Sequence, residues 1–329
     1  MRSHPSSLAL FAKLVVIATF VLIFIGGHTT TSGAGMAFAD WPLSNGSLNP
    51  EGWWQDFMMR LEHGHRLTAG LVTALVSLLF VWVWLLRATL PRPAFPLAVW
   101  AILGVFAQAI LGGLRVILDP QGIAATTGAI ATTFRVLHGC FAQIELCLVV
   151  ALAAVLSPVW LALVARPSFV KIARLAWVTA GIVFLQSIVG AIVRHLGVGL
   201  VIPTFPLIQG SLLPKAHNPY IDLNFTHTRV LPVLVAIHVI LLARRALASG
   251  EARLGRPALL LMALLVAQIG LGILVIWNSR PPWLTTIHVV NGASVLAATV
   301  LIGVRASRRT AHDPAAASAQ GLHATEVTA

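Results

Sequence analysis

Residues 190–214, GAIVRHLGVGLVIPTFPLIQGSLLP, repeat the frame of residues 26–50, GGHTTTSGAGMAFADWPLSNGSLNP. Gly26, Gly33, Gly35, Pro42, Leu43, Gly46, Ser47, Leu48 and Pro50 recur at a constant offset of 164 as Gly190, Gly197, Gly199, Pro206, Leu207, Gly210, Ser211, Leu212 and Pro214, and Trp41 is matched by Phe205. Lys13 ahead of an apolar run, followed by Ala37-Phe38-Ala39, gives the first copy the outline of a secretory signal. The second copy lies in mid-chain and cannot be one. The first is therefore read as a retained helix and loop, and the chain as two related halves.

Working outward, 58% of the 329 residues are hydrophobic and only 10% are charged, with a mean hydropathy of +0.89. A water-soluble domain carries about 25% charged residues, so soluble enzymes, disordered chains and secreted disulfide scaffolds are excluded. Spanning the hydrocarbon takes about 20 apolar residues per helix. Eight such runs lie near 11–27, 65–86, 94–115, 131–156, 173–194, 227–243, 257–277 and 284–304. The fold class is all-α, a polytopic membrane protein with eight transmembrane helices in two pseudo-symmetric four-helix bundles, 11–160 and 170–305, and a disordered tail over 306–329.

The net charge of +12 sorts by side. Arg2, Lys13, Arg87, Arg92, Arg166, Lys171, Arg174, Arg244, Arg245, Arg253, Arg256, Arg305, Arg308 and Arg309 fall on alternate gaps, which places those gaps and both termini on the cytoplasmic side. Six acids, Asp40, Glu51, Asp56, Glu62, Asp119 and Asp222, fall on the opposite side, in or near two long connections spanning roughly 28–64 and 195–226 by the span count. Basic residues scattered through short loops exclude a nucleic-acid binder. Four helices per half is an even number, so the halves are related by an axis along the membrane normal. Gln108 with Gly112, Gln186 with Gly190, and Gln268 with Gly272 each read Gln-x-x-x-Gly. This motif fits either close helix packing with an interhelical amide bond or room for a flat ligand.

Histidine is the unusual residue: 12 of them outnumber the 10 carboxylates. His65, His138, His227 and His288 open the four even-numbered helices at similar depth. An ionisable group inside a membrane is expensive and marks a function. Two imidazoles from facing helices at one depth are what axial ligation of a heme iron requires, which gives the pairs His65/His138 and His227/His288. Arg66, Arg135 and Arg229 stand close by in sequence, with guanidinium groups suited to propionates. His238, about 16 Å deeper than His227, reads as a hydrogen-bonded interior residue. His63 reads as a loop residue, and His195 as a helix-end residue that can meet a propionate or a quinone. Glu62 shares a helix face with His65, where Asn224 stands in the second half, so one pair has a carboxylate and the other an amide. A carboxylate at a heme edge accepts a proton or stabilises developing positive charge, which plain electron transfer does not need. The bland alternative is a Glu62–Arg66 ion pair, weak if exposed.

These residues, taken in order, resemble the heme A synthases, eight-helix proteins of two four-helix bundles. The stretch Gly26-Gly27-His28-Thr29-Thr30-Thr31-Ser32-Gly33, then Asp40-Trp41-Pro42, is similar to the family's Gly-Gly-x-Thr-Arg…Ser-Gly…Trp-Pro signature. Glu62-His63-Gly64-His65-Arg66 is similar to its Glu-x-x-His-Arg motif, and Gly190-Ala191-Ile192-Val193-Arg194 and the four histidines also match. The resemblance covers roughly 11–305, as a two-fold array should. It implies an oxidoreductase acting on CH groups that converts a methyl of heme O to a formyl group by water-derived hydroxylations, giving heme A for terminal oxidases. By the same resemblance His65 and His138 flank the substrate heme O, Glu62 lies near the reacting methyl, and His227 and His288 ligate a permanent heme b. The active-site face is then extracytoplasmic. Implied partners are heme O, heme O synthase, and a quinone or other electron acceptor. The sequence departs from the family in two places. The outer loop Phe38–Ser44 has no cysteine pair, and Thr-Arg reads Thr29-Thr30. Cys140 and Cys147 stand seven apart on one helix, too far to bridge, and pack as small apolar residues. The main rival is a non-enzymatic diheme cytochrome b using the same four histidines; a transporter is a weaker third reading.

Overall fold

A computed structural model describes residues 6–118 and 124–308. Among the described residues eight helices are long and apolar enough to cross a membrane: α1 (Ser6–Thr31), α2 (Phe57–Leu86), α3 (Ala94–Ile117), α4 (Ala124–Val155), α5 (Pro167–His195), α6 (Pro219–Ala248), α7 (Ala252–Trp277) and α8 (Pro282–Ala306). Asp119, His4, His312, His323 and the tail beyond Arg308 lie outside the described residues, whereas α8 itself continues to Ala306.

Within each half the helices close a ring. Helix α1 packs on α2, α2 on α3, α3 on α4 and α4 on α1, and α5 to α8 repeat the pattern. Each ring has its own apolar core, one built around Leu8, Leu79 and Leu146, the other around Leu242, Leu254 and Ile302. The rings join through α4 on α8, with α1 on α8 mirrored by α5 on α4. That set of contacts maps onto itself when the halves are exchanged, as a two-fold axis requires.

The repeat holds at single residues. Gly33 and Gly197 both take positive φ, and the peptide bonds before Pro42 and Pro206 are both cis. Ser44 and Ser47 exchange backbone hydrogen bonds of 3.0 and 3.1 Å, as Ile208 and Ser211 do at 2.7 and 3.0 Å. Between them Asn45-Gly46 and Gln209-Gly210 sit at positive φ, the conformation of a tight hairpin turn that glycine makes cheaply. In the first copy the Asp40 carboxylate accepts from the N–H groups of Asn45 and Gly46, both at 2.8 Å.

Asp40 yields a pH prediction. Burial works to raise its carboxyl, but the Gly46 and Asn45 N–H groups outweigh it and hold the group below its ordinary 3.8. A lowered folded value means the contribution is full above the ordinary carboxylate range and is lost as pH falls through the folded value. Protease cutting of the 32–56 loop should therefore rise only on strong acidification, whereas Asp40→Asn should be cut readily at neutral pH. An identical acid profile in the variant would remove Asp40 as the clasp.

The helices differ from the apolar runs at the end that carries the long loops. There α2, α4 and α6 begin about two turns earlier than the runs, so the connections shrink to 32–56 and 196–218. Asp56 caps α2 by accepting from Met59 N–H, and Asn218 caps α6 by accepting from Tyr220 and Ile221. Polar caps start the helices while membrane depth keeps their backbone bonded. His65, His138 and His227 consequently lie inside helices rather than at their openings, and His63 is a buried helix residue, not a loop one. Its ring bonds Ser44 Oγ at 3.0 Å and packs on Trp53. His238 is also corrected. It is only half-buried and bonds the Leu234 carbonyl of its own helix at 2.9 Å.

Candidate functional site

Each of the four histidines rests against a glycine of a neighbouring helix. A Cβ on Gly26 would stand 2.6 Å from His65 Cε1, on Gly112 3.0 Å from His138 Cε1, on Gly190 2.5 Å from His227 Cε1, and on Gly272 3.2 Å from His288 Cε1. The glutamines one turn away supply the amide bond. Gln108 Nε2 donates to the His138 carbonyl at 2.8 Å and Gln186 Nε2 to the His227 carbonyl at 2.9 Å, while Gln268 meets the His288 ring at 3.3 Å. Gln-x-x-x-Gly thus serves close packing, and the room its glycine leaves is filled by an imidazole. A methyl at Gly190 should push His227 out of place and remove whatever that ring ligates. Gly181→Ala, whose Cβ meets nothing within 4 Å, is the control. Bound heme in the purified proteins reports the result, and equal content in both would refute the role.

The structure brings the histidines together in the expected pairs. The His65 and His138 rings lie 6.5 Å apart at 87°, and His288 lies close enough to His227 to act on it electrostatically. Two imidazoles bound to one metal have centroids about 6.3 Å apart, from bonds of about 2.0–2.1 Å and about 1.1 Å from nitrogen to ring centre. All four rings leave Nδ1 buried with no partner. Such an atom costs about 1–3 kcal/mol, and the same cost at four repeat-related places points to a partner that is not protein. Among the described residues no third His, Cys, Asp or Glu joins either pair to hold a metal ion, so a metal here would bring further ligands of its own. The residues fit an iron porphyrin.

His227 lies in a π-turn, Thr226–Val230, whose counterpart around His65 is plain α-helix. Pro232 accounts for the turn, since it has no N–H for the carbonyl of Thr228 and the ladder resets around it.

Glu62 is 3% exposed. Its Oε1 pairs with Arg66 at 2.6 Å and its Oε2 accepts from Phe38 N–H at 3.1 Å. The ion pair is therefore buried, not the exposed one whose weakness would make it negligible. In the second half Asn224 is fully buried and donates to the Val198 carbonyl at 2.8 Å. Both residues tie helix to loop, one as a carboxylate acceptor and the other as an amide donor.

Arg66 and Arg229 do something the sequence did not suggest. Arg66 donates to the carbonyls of Asp40, at 2.8 Å, and Leu43, and lies over the Phe38 ring. Arg229 donates to Thr204, the repeat partner of Asp40, and lies over Phe205. Both guanidinium groups fold their own loop down, so they are loop clamps first. Arg135 stands within reach of Arg115 and His195.

Sequence reasoning missed Arg115. It is half-buried at the end of α3, against Gly35, with Nε buried and unpartnered. It acts electrostatically on His65, His138 and Glu62. The available signal was its place one turn past Gly112, as Arg194 stands one turn past Gly190. Arg194 crosses between halves to donate to the Gly27 carbonyl at 2.7 Å. His195 beside it acts on His138, so the second half contributes to the first half's site. His28 stacks on Phe24 with ring centroids 6.3 Å apart. Cys140 and Cys147 are both free thiols.

Fold and site together define a polytopic helical membrane protein with two repeat-related histidine-pair sites at one end. The family model described as cytochrome oxidase assembly protein, COX15-CtaA, matches residues 9–300, and the chain belongs to that family. A heme A synthase of Methylorubrum extorquens (strain PA1) is 30% identical, covering 89% of this chain and 85% of its own length. Heme A synthases of Azorhizobium caulinodans and Caulobacter sp. (strain K31) are 26% and 25% identical, each covering 93% of this chain and 95% and 97% of theirs.

Proposed function

We propose that this protein is a heme A synthase of a bacterial inner membrane, an oxidoreductase that converts the methyl of heme O to a formyl group. The observation that carries the reading is the paired histidines, duplicated by the repeat, with a carboxylate beside only one pair. In this reading residues 11–160 form the substrate half, where His65 and His138 flank heme O. Residues 170–305 form the electron-transfer half, where His227 and His288 hold heme b. In this reading the long-loop end faces outward and both termini face the cytoplasm, which the basic side of the chain supports.

Bound iron porphyrin supplies the redox centre, and the chain supplies orientation and charge. Its histidines fix the ring plane, each locked over a glycine. Arg115 and Arg135 put positive charge where propionates need it, and Arg115 has a free buried N–H to give. Arg66 and Arg229 hold the loops closed over the two sites. Glu62 has each oxygen already accepting a hydrogen bond, so it acts as a fixed negative charge that stabilises positive charge developing at the methyl carbon. Heme O synthase as donor and a quinone or other electron acceptor complete the reading.

The test is to express the chain with a heme O supply, extract the hemes and separate them chromatographically. Heme A or its hydroxymethyl precursor is expected. Two stoichiometric b hemes and no modified heme would instead establish a diheme cytochrome b.

A further inference from the structure

One buried carboxyl has no part in the scheme above. Glu145 is 5% exposed on α4, and both its oxygens are buried without a partner. It lies seven residues past His138, two turns along the same helix face and about 10 Å farther from the long-loop end. Gly104 of α3 makes the room for it: a Cβ there would collide with Oε2 and stand 3.5 Å from Cδ. One turn along α3 toward His138 comes Gln108, which donates to the His138 carbonyl and whose Oε1 is also buried and unpartnered. The α3–α4 seam thus carries His138, Gln108 and Glu145 in line.

Nothing charged offsets Glu145. The helices packed on α4 are α1, α3, α5 and α8. Their ionisable groups sit toward the two ends: Lys13 and His28 on α1, Arg115 on α3, Lys171, Arg174, Arg194 and His195 on α5, and His288 and Arg305 on α8. Among the described residues none of these acts on the carboxyl. The second half has no such group. The counterparts of Gly104 and Glu145, counted from Gln108/Gln268 and His138/His288, are Leu264 and Val295, a leucine for the glycine and a valine for the acid. The notch and the acid therefore occur together, and only in the half read as holding substrate.

A carboxyl without a partner in hydrocarbon is stable only in its neutral form. Positive charge appearing near His138 changes that balance. At an effective dielectric constant of about 20, one unit of charge about 10 Å away shifts a protonation equilibrium roughly tenfold.

We propose that Glu145 is a proton-binding site linked to the oxidation state of the iron held by His65 and His138. Glu145 keeps its proton while that iron is reduced. When the iron gives one electron to an external one-electron acceptor, the carboxyl gives one proton to solvent, so the net charge of the seam stays constant. Converting a methyl to a formyl group with water releases four electrons and four protons, which is where such a site has a use. The proposal rests on the reading that this pair binds an iron porphyrin.

The test is spectroelectrochemistry on the full-length, heme-loaded protein, with each heme's midpoint potential followed between about pH 6 and pH 9. Glu145→Gln should flatten the pH dependence of the His65/His138 heme and leave the His227/His288 heme unchanged, and Glu145→Asp should restore it. Redox-difference infrared spectra should show a protonated-carboxyl band lost on oxidation and shifted in D2O, and its change of frequency in Glu145→Asp assigns it to this side chain rather than a propionate even if Glu145→Gln fails to fold. Unchanged pH dependence in Glu145→Gln, or no change in any carboxyl band, overturns the proposal alone. If His138→Ala removes no heme signal, the reading of that pair fails and the proposal falls with it.

Discussion

In a His288→Ala protein, less than about a tenth of the heme b should survive purification, because a lost ligand costs more than the 10–100-fold typical of outer-shell partners. His227→Ala should behave the same way. His65→Ala and His138→Ala should keep that heme and lose product instead. The difference follows from the asymmetry of the halves. In the second pair Gln268 meets the His288 ring and Asn291 donates to Gln268 Oε1 at 2.8 Å, a contact the first pair lacks because Gln108 bonds the His138 carbonyl instead. On the proposed reading the first pair, whose loop is anchored by the Glu62 carboxylate where the second has the Asn224 amide, takes heme O as a passing substrate. Extracted heme per protein, measured for all four variants, decides the point. Equal losses from both pairs would mean two permanent hemes, which is the cytochrome b outcome.

What the sequence made legible was what the membrane makes expensive. A run of about 20 apolar residues has one low-energy fate, so the spans could be counted. Histidines at matched depth in hydrocarbon have few uses, so the pairs could be drawn. The loop contacts of Arg66 and Arg229 were not legible because guanidinium groups suit propionates and backbone carbonyls alike. Only the folded loop shows that Asp40, Leu43 and Thr204 present carbonyls to them. Helix starts were misplaced because the hydropathy pattern ends before the helix does, although Asp56 and Asn218 stood in place as caps. Arg115 and Glu145 stayed hidden for another reason. What singles them out is Gly35 and Gly104 on other elements, a contact that no local pattern encodes.

Glu62→Gln is the second large effect expected, a fall of about a hundred- to thousandfold in heme A formation, the usual loss when one fixed electrostatic stabiliser is removed from an enclosed site. The structure gives this substitution two possible meanings, and they can be separated. Glu62 anchors the first loop through Phe38 N–H and Arg66, so a loosened loop would also slow the reaction. The amide keeps an acceptor for Arg66 but offers only one oxygen where the carboxylate offered two. Protease protection of the 32–56 loop, read in the same sample, separates the cases. Retained protection and retained heme b with product stalled at the methyl or hydroxymethyl stage assign the loss to charge. A cut loop with product restored by low temperature assigns it to the anchor. Asn224 shows that an amide can tie a loop at this place in the repeat, since it holds Val198 with no charge at all. On the proposed reading the carboxylate beside the first pair, where an amide would serve for packing, acts through its charge, and product formation unchanged by Glu62→Gln would end that argument.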